Sequence, residues 1–430
     1  MKRAKTIISF LFFSLIFFIS WNSKSQEVFD INIAQTIKTI PENPTGIVSC
    51  WLMDSDTNWP RNKTNAQAFK DMGIKMIRFP YGHLSNNYLW TTPPYSDTTD
   101  IKPKIASLHE DPGSWTWAVD TTGEFKKAMD FNEFINICND IEAEPFVCVN
   151  VLSYKYQDGP TYEELKQLAI DWVRYANILK GYNVKLWMLG NEQDLHENLL
   201  SKTEYITLYN DFANAMKNVD STIYIAPAVL NQEDWFRDVL DSCYHNIDFM
   251  TTQQYLWGAS WTSGGYDTWK EFEGIHIPLI ETLLSTLNSS PKPDMDVYIT
   301  ETNATPPSGW PDGTQNDLYR SLCWFDQCMG QLMTEKVKGN LYWCSHSPWQ
   351  GEHGNGDLRN ALTNDSLNNR KPTGEIIKII NENINTDFVS TNRVSGYIRN
   401  YSTYSSTKKE LTIFLMNKNN QHVESKIYLH

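Results

Sequence analysis
The chain has 430 residues, 41% of them hydrophobic, which is enough to build a large core with a small additional domain beside it. Its formal net charge is -14, from 51 acidic against 37 basic side chains. That balance argues against nucleic acid or an anionic membrane as partner, since both call for a basic footprint, and it disfavours strongly sulfated or uronate-rich ligands.

In chain order, Lys2, Arg3 and Lys5 precede an apolar run from Ile7 to Ile19 that only serines interrupt, and Ser23, Lys24 and Ser25 follow it. This pattern predicts a secretory signal over residues 1–25, and with it a secreted or periplasmic protein. The run is shorter than the about 20 apolar residues of a spanning helix, so no membrane span is expected. No cysteine follows closely enough for a lipid anchor. The seven cysteines (Cys50, Cys138, Cys148, Cys243, Cys323, Cys328 and Cys344) are odd in number and include no C-x-x-C, so neither a zinc site nor a redox motif is indicated. One disulfide is compatible with an oxidising compartment, with its pairing left open.

Phe29, Ile31 and Ile33 alternate as in a strand. From Gly46 onward, short apolar runs alternate with amphipathic stretches. The runs predict eight strands: Ile47–Leu52, Lys75–Phe79, Pro145–Val151, Val184–Leu189, Ile223–Ala228, Phe249–Tyr255, Val297–Thr300 and Asn340–Cys344. Helices are expected at Thr64–Met72, Asp130–Ile141, Tyr162–Leu179, Thr203–Asn218, Trp235–Cys243, Trp269–Leu287, Asp317–Thr334 and Glu375–Ile384. Thr161 with Glu164 forms a capping box at the third of these.

Strand-then-helix repetition of this kind predicts an α/β fold, a (β/α)8 barrel. A doubly wound open sheet is the competitor, but it usually carries a glycine-rich phosphate loop after an early strand, and this chain has none. Beyond Thr386, Val394–Arg399, Leu411–Asn417 and Ser425–Leu429 read as strands between polar turns. The expected organisation is therefore a signal at 1–25, an N-terminal strand at 26–45, the barrel at 46–386 and a partial β-sandwich at 387–430, which the N-terminal strand joins. Three or four strands are few for a sandwich, so a truncated or unusually small one is expected.

Catalytic groups of such barrels sit where strands end, at the C-terminal face. The fourth run ends Trp187-Met188-Leu189-Gly190-Asn191-Glu192, and the seventh ends Ile299-Thr300-Glu301-Thr302-Asn303. Either glutamate alone is most simply a cap or an ion-pair partner. Two together, at opposed strand ends, suit glycoside hydrolysis. There one carboxyl protonates the leaving oxygen and the other attacks the anomeric carbon, at a separation of about 5–5.5 Å for the retaining mechanism. The two need unlike environments, one protonated and one ionised.

Asn191-Glu192 after the fourth strand and Glu301 after the seventh resemble the clan A glycoside hydrolases, the 4/7 barrel superfamily. Within it, Trp187 to Glu192 is most similar to the α-L-arabinofuranosidase families, and Arg78-Phe79-Pro80-Tyr81-Gly82 is similar to their Arg-Tyr-Pro-Gly-Gly element. The resemblance implies a carbohydrate substrate, no cofactor and no metal. It makes Glu192 the general acid/base and Glu301 the nucleophile. Asn191 would hold the sugar hydroxyl next to the anomeric carbon, and Arg78 would sit under Glu301 and keep it ionised.

Two departures touch the sugar subsite. After strand six, Tyr255 matches the related enzymes and could donate to Glu301, but Gln stands where His is common. Tyr81 stands where the first glycine of the pair would be.

Trp51, Trp257, Trp343 and Trp349, with Trp90 and Tyr95, are candidate sugar-stacking rings by position, each weighed against ordinary core packing. His346 to His353 lacks a third ligand at fixed spacing, so a metal site is not expected. The leading expectation is a secreted retaining glycosidase of α-L-arabinofuranosidase type acting on plant or algal polysaccharide or its oligosaccharides. The alternatives are an endo-acting β-glycanase (xylanase, galactanase or agarase type) and a non-catalytic carbohydrate-binding protein. Oligomeric state is not legible.

Overall fold
The computed structural model describes residues 26–93, 95, 100–106, 118–230, 232–255, 269, 271, 278–303, 317–348, 360–392, 396–419 and 421–430. Within them the chain forms a parallel eight-stranded barrel with helices outside it and a separate five-stranded sheet.

The barrel strands, with the chain's first strand counted as β1 (Gln26–Thr39), are β2 (Thr45–Val48), β3 (Met76–Phe79), β6 (Glu144–Val149), β7 (Leu186–Leu189), β8 (Tyr224–Pro227), β9 (Phe249–Tyr255), β10 (Asp296–Asn303) and β11 (Val337–Tyr342). A small hairpin, β4 (Tyr88–Leu89) with β5 (Lys104–Ile105), lies in the long connection after β3. The barrel order is β8-β7-β6-β3-β2-β11-β10-β9. Asp248 N donates to Ile225 O at 3.0 Å and Gln253 N to Leu230 O at 3.4 Å, so hydrogen bonds also join the two ends of that order. Strands such as Met76–Phe79 and Leu186–Leu189 are buried at every position, as parallel strands covered on both faces must be. The barrel expectation therefore holds, with the fourth and seventh barrel strands being β7 and β10.

The helices between them start where side-chain caps allow. Thr64, Thr161 and Ser201 each form a complete capping box with the residue three positions on, and Asp130 caps the helix Phe131–Ile141. The expected helix Tyr162–Leu179 is α-helical only to Val173 and continues as a π-helical turn from Arg174 to Leu179, in which Tyr175 is buried.

The second sheet has the order β14-β13-β12-β1-β15, with β12 at Asp387–Thr391, β13 at Ile398–Ser405, β14 at Glu410–Asn417 and β15 at Glu424–Leu429. β12 had no counterpart among the expected strands, and Ile398–Ser405 lies downstream of the expected Val394–Arg399. The described residues form one sheet rather than the two of a sandwich. A physical reason is visible at its inner face, which packs on a barrel helix, Asp317–Leu332: Phe325 sits 5.8 Å from Tyr401 and 6.0 Å from Phe414, ring centre to ring centre. An apolar face needs one partner layer, and here the helix supplies it.

Polar contacts then fix the sheet against the barrel. Arg399, fully buried, forms an ion pair with Asp326, its Nε 2.7 Å from Oδ1, and Tyr401 OH donates to the same oxygen at 2.6 Å. On the N-terminal strand, Lys38 Nζ donates to the carbonyls of Leu332, Thr334 and Val337 at 2.7, 2.5 and 2.5 Å. The Lys38 amine thus meets the Leu332 carbonyl at the helix end and the carbonyls of the turn and strand start that follow it.

Arg399→Met would leave the Asp326 carboxylate buried beside little compensating charge. The expected loss is about 3–5 kcal/mol of stability, read as a lower midpoint in urea unfolding. A loss under about 1 kcal/mol would mean that the pair is not what holds the sheet in place.

Candidate active site
β7 and β10 deliver Asn191, Glu192 and Glu301 to one mouth of the barrel, and β3 delivers Arg78 to the same place. Arg78 is fully buried. Its Nη1 donates to Glu301 Oε1 at 2.5 Å and to the Thr300 carbonyl at 3.2 Å, while its Nη2 donates to Asn191 Oδ1. One guanidinium thus ties the ends of the fourth and seventh barrel strands together. Tyr255, at the end of β9, donates its hydroxyl to the other Glu301 oxygen at 2.5 Å. Each carboxylate oxygen of Glu301 therefore has a named donor and keeps lone-pair capacity for a third group. Gly82 lies against the same carboxylate: a Cβ there would stand 2.6 Å from Glu301 Oε1 and 3.3 Å from Trp343 Nε1, so no side chain fits.

Glu192 sits in a different setting. Its backbone is left-handed, φ 49° and ψ 49°, just after Gly190 at φ 93°. For a residue with a Cβ this costs about 1 kcal/mol, and such strain collects where a side chain must be aimed. Asn191 Nδ2 donates to Glu192 Oε2 at 3.3 Å. Desolvation and then the charge of Glu301 push the Glu192 carboxyl up to about 8, with Arg78 opposing. The two glutamates are thus electrostatic neighbours with unlike surroundings. One has a cation and a phenol on its oxygens, and the other is held in its neutral form at neutral pH.

Further residues brace this floor, and periodicity could not have singled them out. Gln253 Nε2 donates to Asn191 Oδ1 at 2.9 Å. Gln193 Nε2 donates to the Asn191 carbonyl at 3.0 Å, and Asn86 Nδ2 donates to the same carbonyl at 3.3 Å. The Cys148 thiol donates to the Gly190 carbonyl at 2.9 Å. Apart from Gln193, two residues from Asn191, these contacts form only once different strands and loops come together.

Among the expected stacking rings, Trp343 is at the site, partly buried, 5.6 Å from the Tyr81 ring and 6.1 Å from Tyr255. Trp51 is not available for stacking. It is fully buried with Phe125 stacked on it at 4.9 Å and 7° and with Tyr88 tilted beside it, so core packing has taken the ring. Trp90 is likewise buried, stacked on Trp172 at 5.9 Å, with Tyr95 against it. Trp257 and Trp349 lie outside the described residues.

His346 is fully buried, its Nδ1 2.6 Å from Asp54 Oδ1 and its Nε2 3.0 Å from Asn368 Oδ1. Both ring nitrogens face oxygens, so neither is open to a metal, and His353 lies outside the described residues. No group of three metal-ligating side chains occurs among the described residues. All seven cysteines are buried.

The barrel mouth thus carries one glutamate just beyond the fourth strand and another near the end of the seventh, and comparisons with known proteins show what the chain is similar to. The profile described as "Alpha-L-arabinofuranosidase 1 domain" matches residues 68–263. The intracellular exo-alpha-(1->5)-L-arabinofuranosidase of Acetivibrio thermocellus is 25% identical over 208 residues, covering 43% of this chain and 37% of that protein. Intracellular exo-alpha-(1->5)-L-arabinofuranosidase 1 of Bacillus subtilis is 25% identical over 209 residues, with the same coverage of 43% and 37%. The chain spans little more than a third of the length of these curated relatives. The crystal structure of alpha-L-arabinofuranosidase from Thermotoga maritima in its arabinose complex aligns with a TM-score of 0.70 at 16% identity, over 93% of this chain and 87% of that one. The chain is thus similar to the arabinofuranosidase-like glycoside hydrolases of clan A, and the fold is shared over nearly its whole length.

Both curated relatives are named intracellular. That overturns the expectation of export drawn from residues 1–25, which lie outside the described residues. An apolar run after a basic start is a compositional signal, and here the relatives weigh against it. Among the described residues no helix is long and apolar enough to cross a membrane.

The raised Glu192 carboxyl carries a stability consequence. The folded state binds its proton more tightly than the unfolded chain does, so the group costs nothing below the ordinary carboxylate range, and folded stability falls as pH rises from there through about 8. Glu192→Gln is therefore expected to raise the melting temperature more at pH 8.5 than at pH 5, by about a few degrees. Equal effects at both pH values would place the carboxyl in an ordinary solvated setting.

Proposed function
We propose that this chain is a retaining glycoside hydrolase of α-L-arabinofuranosidase type, acting on arabinofuranosyl groups of plant or algal polysaccharide or its oligosaccharides. The observation that carries the reading is the shared guanidinium: Arg78 grips the Glu301 carboxylate and Asn191 at once, with Glu192 next to Asn191 and held protonated.

In this reading Glu301 attacks the anomeric carbon while Glu192 gives its proton to the departing oxygen. The carbon–oxygen bond to the leaving group breaks as the bond to Glu301 forms. Glu192, now ionised, takes a proton from water, which displaces Glu301 and restores both groups. Two inversions give net retention. Arg78 and Tyr255 orient the nucleophile by binding each of its oxygens, and their donors are in place before the reaction, so little reorganisation is needed. Asn191 offers an N–H to the hydroxyl next to the anomeric carbon, and the partly buried Trp343, with the buried Tyr81 behind it, presents aromatic surface.

Three measurements test this with a 4-nitrophenyl α-L-arabinofuranoside. Proton NMR during turnover should show the first-formed sugar with the configuration of the substrate, and inversion would exclude Glu301 as nucleophile. Glu301→Gln should lower kcat by roughly a thousandfold or more while the sugar still binds, whereas a protein that only binds carbohydrate would show no turnover to lose. The alkaline limb of kcat/KM should fall near pH 8 in the native protein and be absent in Glu192→Gln, because the proton lost there is the one given to the leaving group.

A further inference from the structure
Gln253 lies on β9, in register with Glu301 on β10, and reaches across to the end of the fourth barrel strand. It is 3% exposed. Its Nε2 stands 2.9 Å from Asn191 Oδ1, and its own Oε1 has no hydrogen-bond partner among the described residues. The identities of these amide atoms follow from Arg78. A guanidinium has donors only, so the Asn191 atom facing Arg78 Nη2 is the oxygen. A second group within hydrogen-bond distance of that oxygen must also donate, so the Gln253 atom is the nitrogen. With two donors on Oδ1, the Asn191 amide cannot turn over. Its Nδ2 is held on the far side, toward Glu192 Oε2 at 3.3 Å, with a second N–H to spare.

We propose that Gln253 is a positioning residue for sugar recognition. It locks the Asn191 amide so that the spare N–H points at the hydroxyl next to the anomeric carbon. This rests on the glycosidase reading above and adds to it a residue whose side chain hydrogen-bonds neither glutamate among the described contacts. Arg78 alone holds Asn191 Oδ1 along one direction, and Gln253 supplies the second donor that fixes the plane of the amide.

The test pairs a residue with a substrate group. Native protein, Gln253→Met and Gln253→Glu are each assayed on an aryl α-L-arabinofuranoside and on its 2-deoxy counterpart, with melting temperatures recorded. The quantity read is the ratio of kcat/KM on the hydroxylated substrate to that on the deoxy one. In Gln253→Met that ratio should fall about tenfold or more, because the contact it reports is the one that Asn191 no longer makes well. Gln253→Glu has the same size, loses the donor toward Asn191 once its carboxyl ionises and should show the same fall at pH values above that point. It serves alone if the Met variant does not fold. A ratio within about twofold of native in a folded variant overturns the proposal, even if both activities drop together, since that pattern belongs to a general structural role. Native protein inactive on every aryl glycoside would instead sink the glycosidase reading, and the positioning role with it.

Discussion
A single buried cation organises this site. Arg78 has no exposure to solvent, so its charge must be met by protein groups, and the structure meets it with Glu301, the Thr300 carbonyl and Asn191. Those partners come from the fourth and seventh barrel strands, while Arg78 itself comes from the second. A buried guanidinium with donors in a planar fork leaves its partners little freedom, because any shift of one strand end would strand a charge away from water. The barrel gives the strand ends their approximate positions, and Arg78 gives their side chains a common reference.

The asymmetry of the two glutamates follows from that arrangement. Glu301 shares the cation and accepts from Tyr255. Glu192 sits one residue beyond Asn191, out of direct contact with the guanidinium, in backbone that costs free energy to hold. It meets the charge of Glu301 in desolvated surroundings, and its carboxyl is pushed up. Two chemically identical residues thereby sit in unlike surroundings, and those of Glu192 raise its carboxyl. The same residues explain the crowding around them: Gly82 has no room for a methyl group, and Gln193 and Asn86 hold the Asn191 carbonyl.

Away from the mouth, the second sheet is bound to the barrel through a helix and not through a second sheet. Phe325, Tyr401 and Phe414 form the apolar contact, and the Arg399–Asp326 pair and Lys38 supply directional polar contacts at its margin. Apolar contact alone would leave the sheet free to slide, whereas a buried ion pair has one good geometry.

The barrel was legible in the sequence because its strands are apolar on both faces and its helices are amphipathic, and both patterns are local. The strand-end glutamates were legible for a related reason: a carboxylate placed within a few residues of Trp187-Met188-Leu189 or Val297-Tyr298-Ile299 stands out against those apolar neighbours. What sequence alone could not decide was which rings face a cleft and which the core. Trp51 and Trp343 both follow barrel strands, yet one is stacked on Phe125 and the other stands beside Tyr255. Nor could it decide the strand Asp387–Thr391, whose sheet partner β1 lies some 350 residues away in the chain, Thr39 opposite Asp387, or the meeting of Gln253, Arg78 and Asn191. Periodicity reports the environment of a residue along its own strand. Which residues of different strands meet is set by how the strands are staggered around the barrel, and that stagger exists only once the sheet has closed.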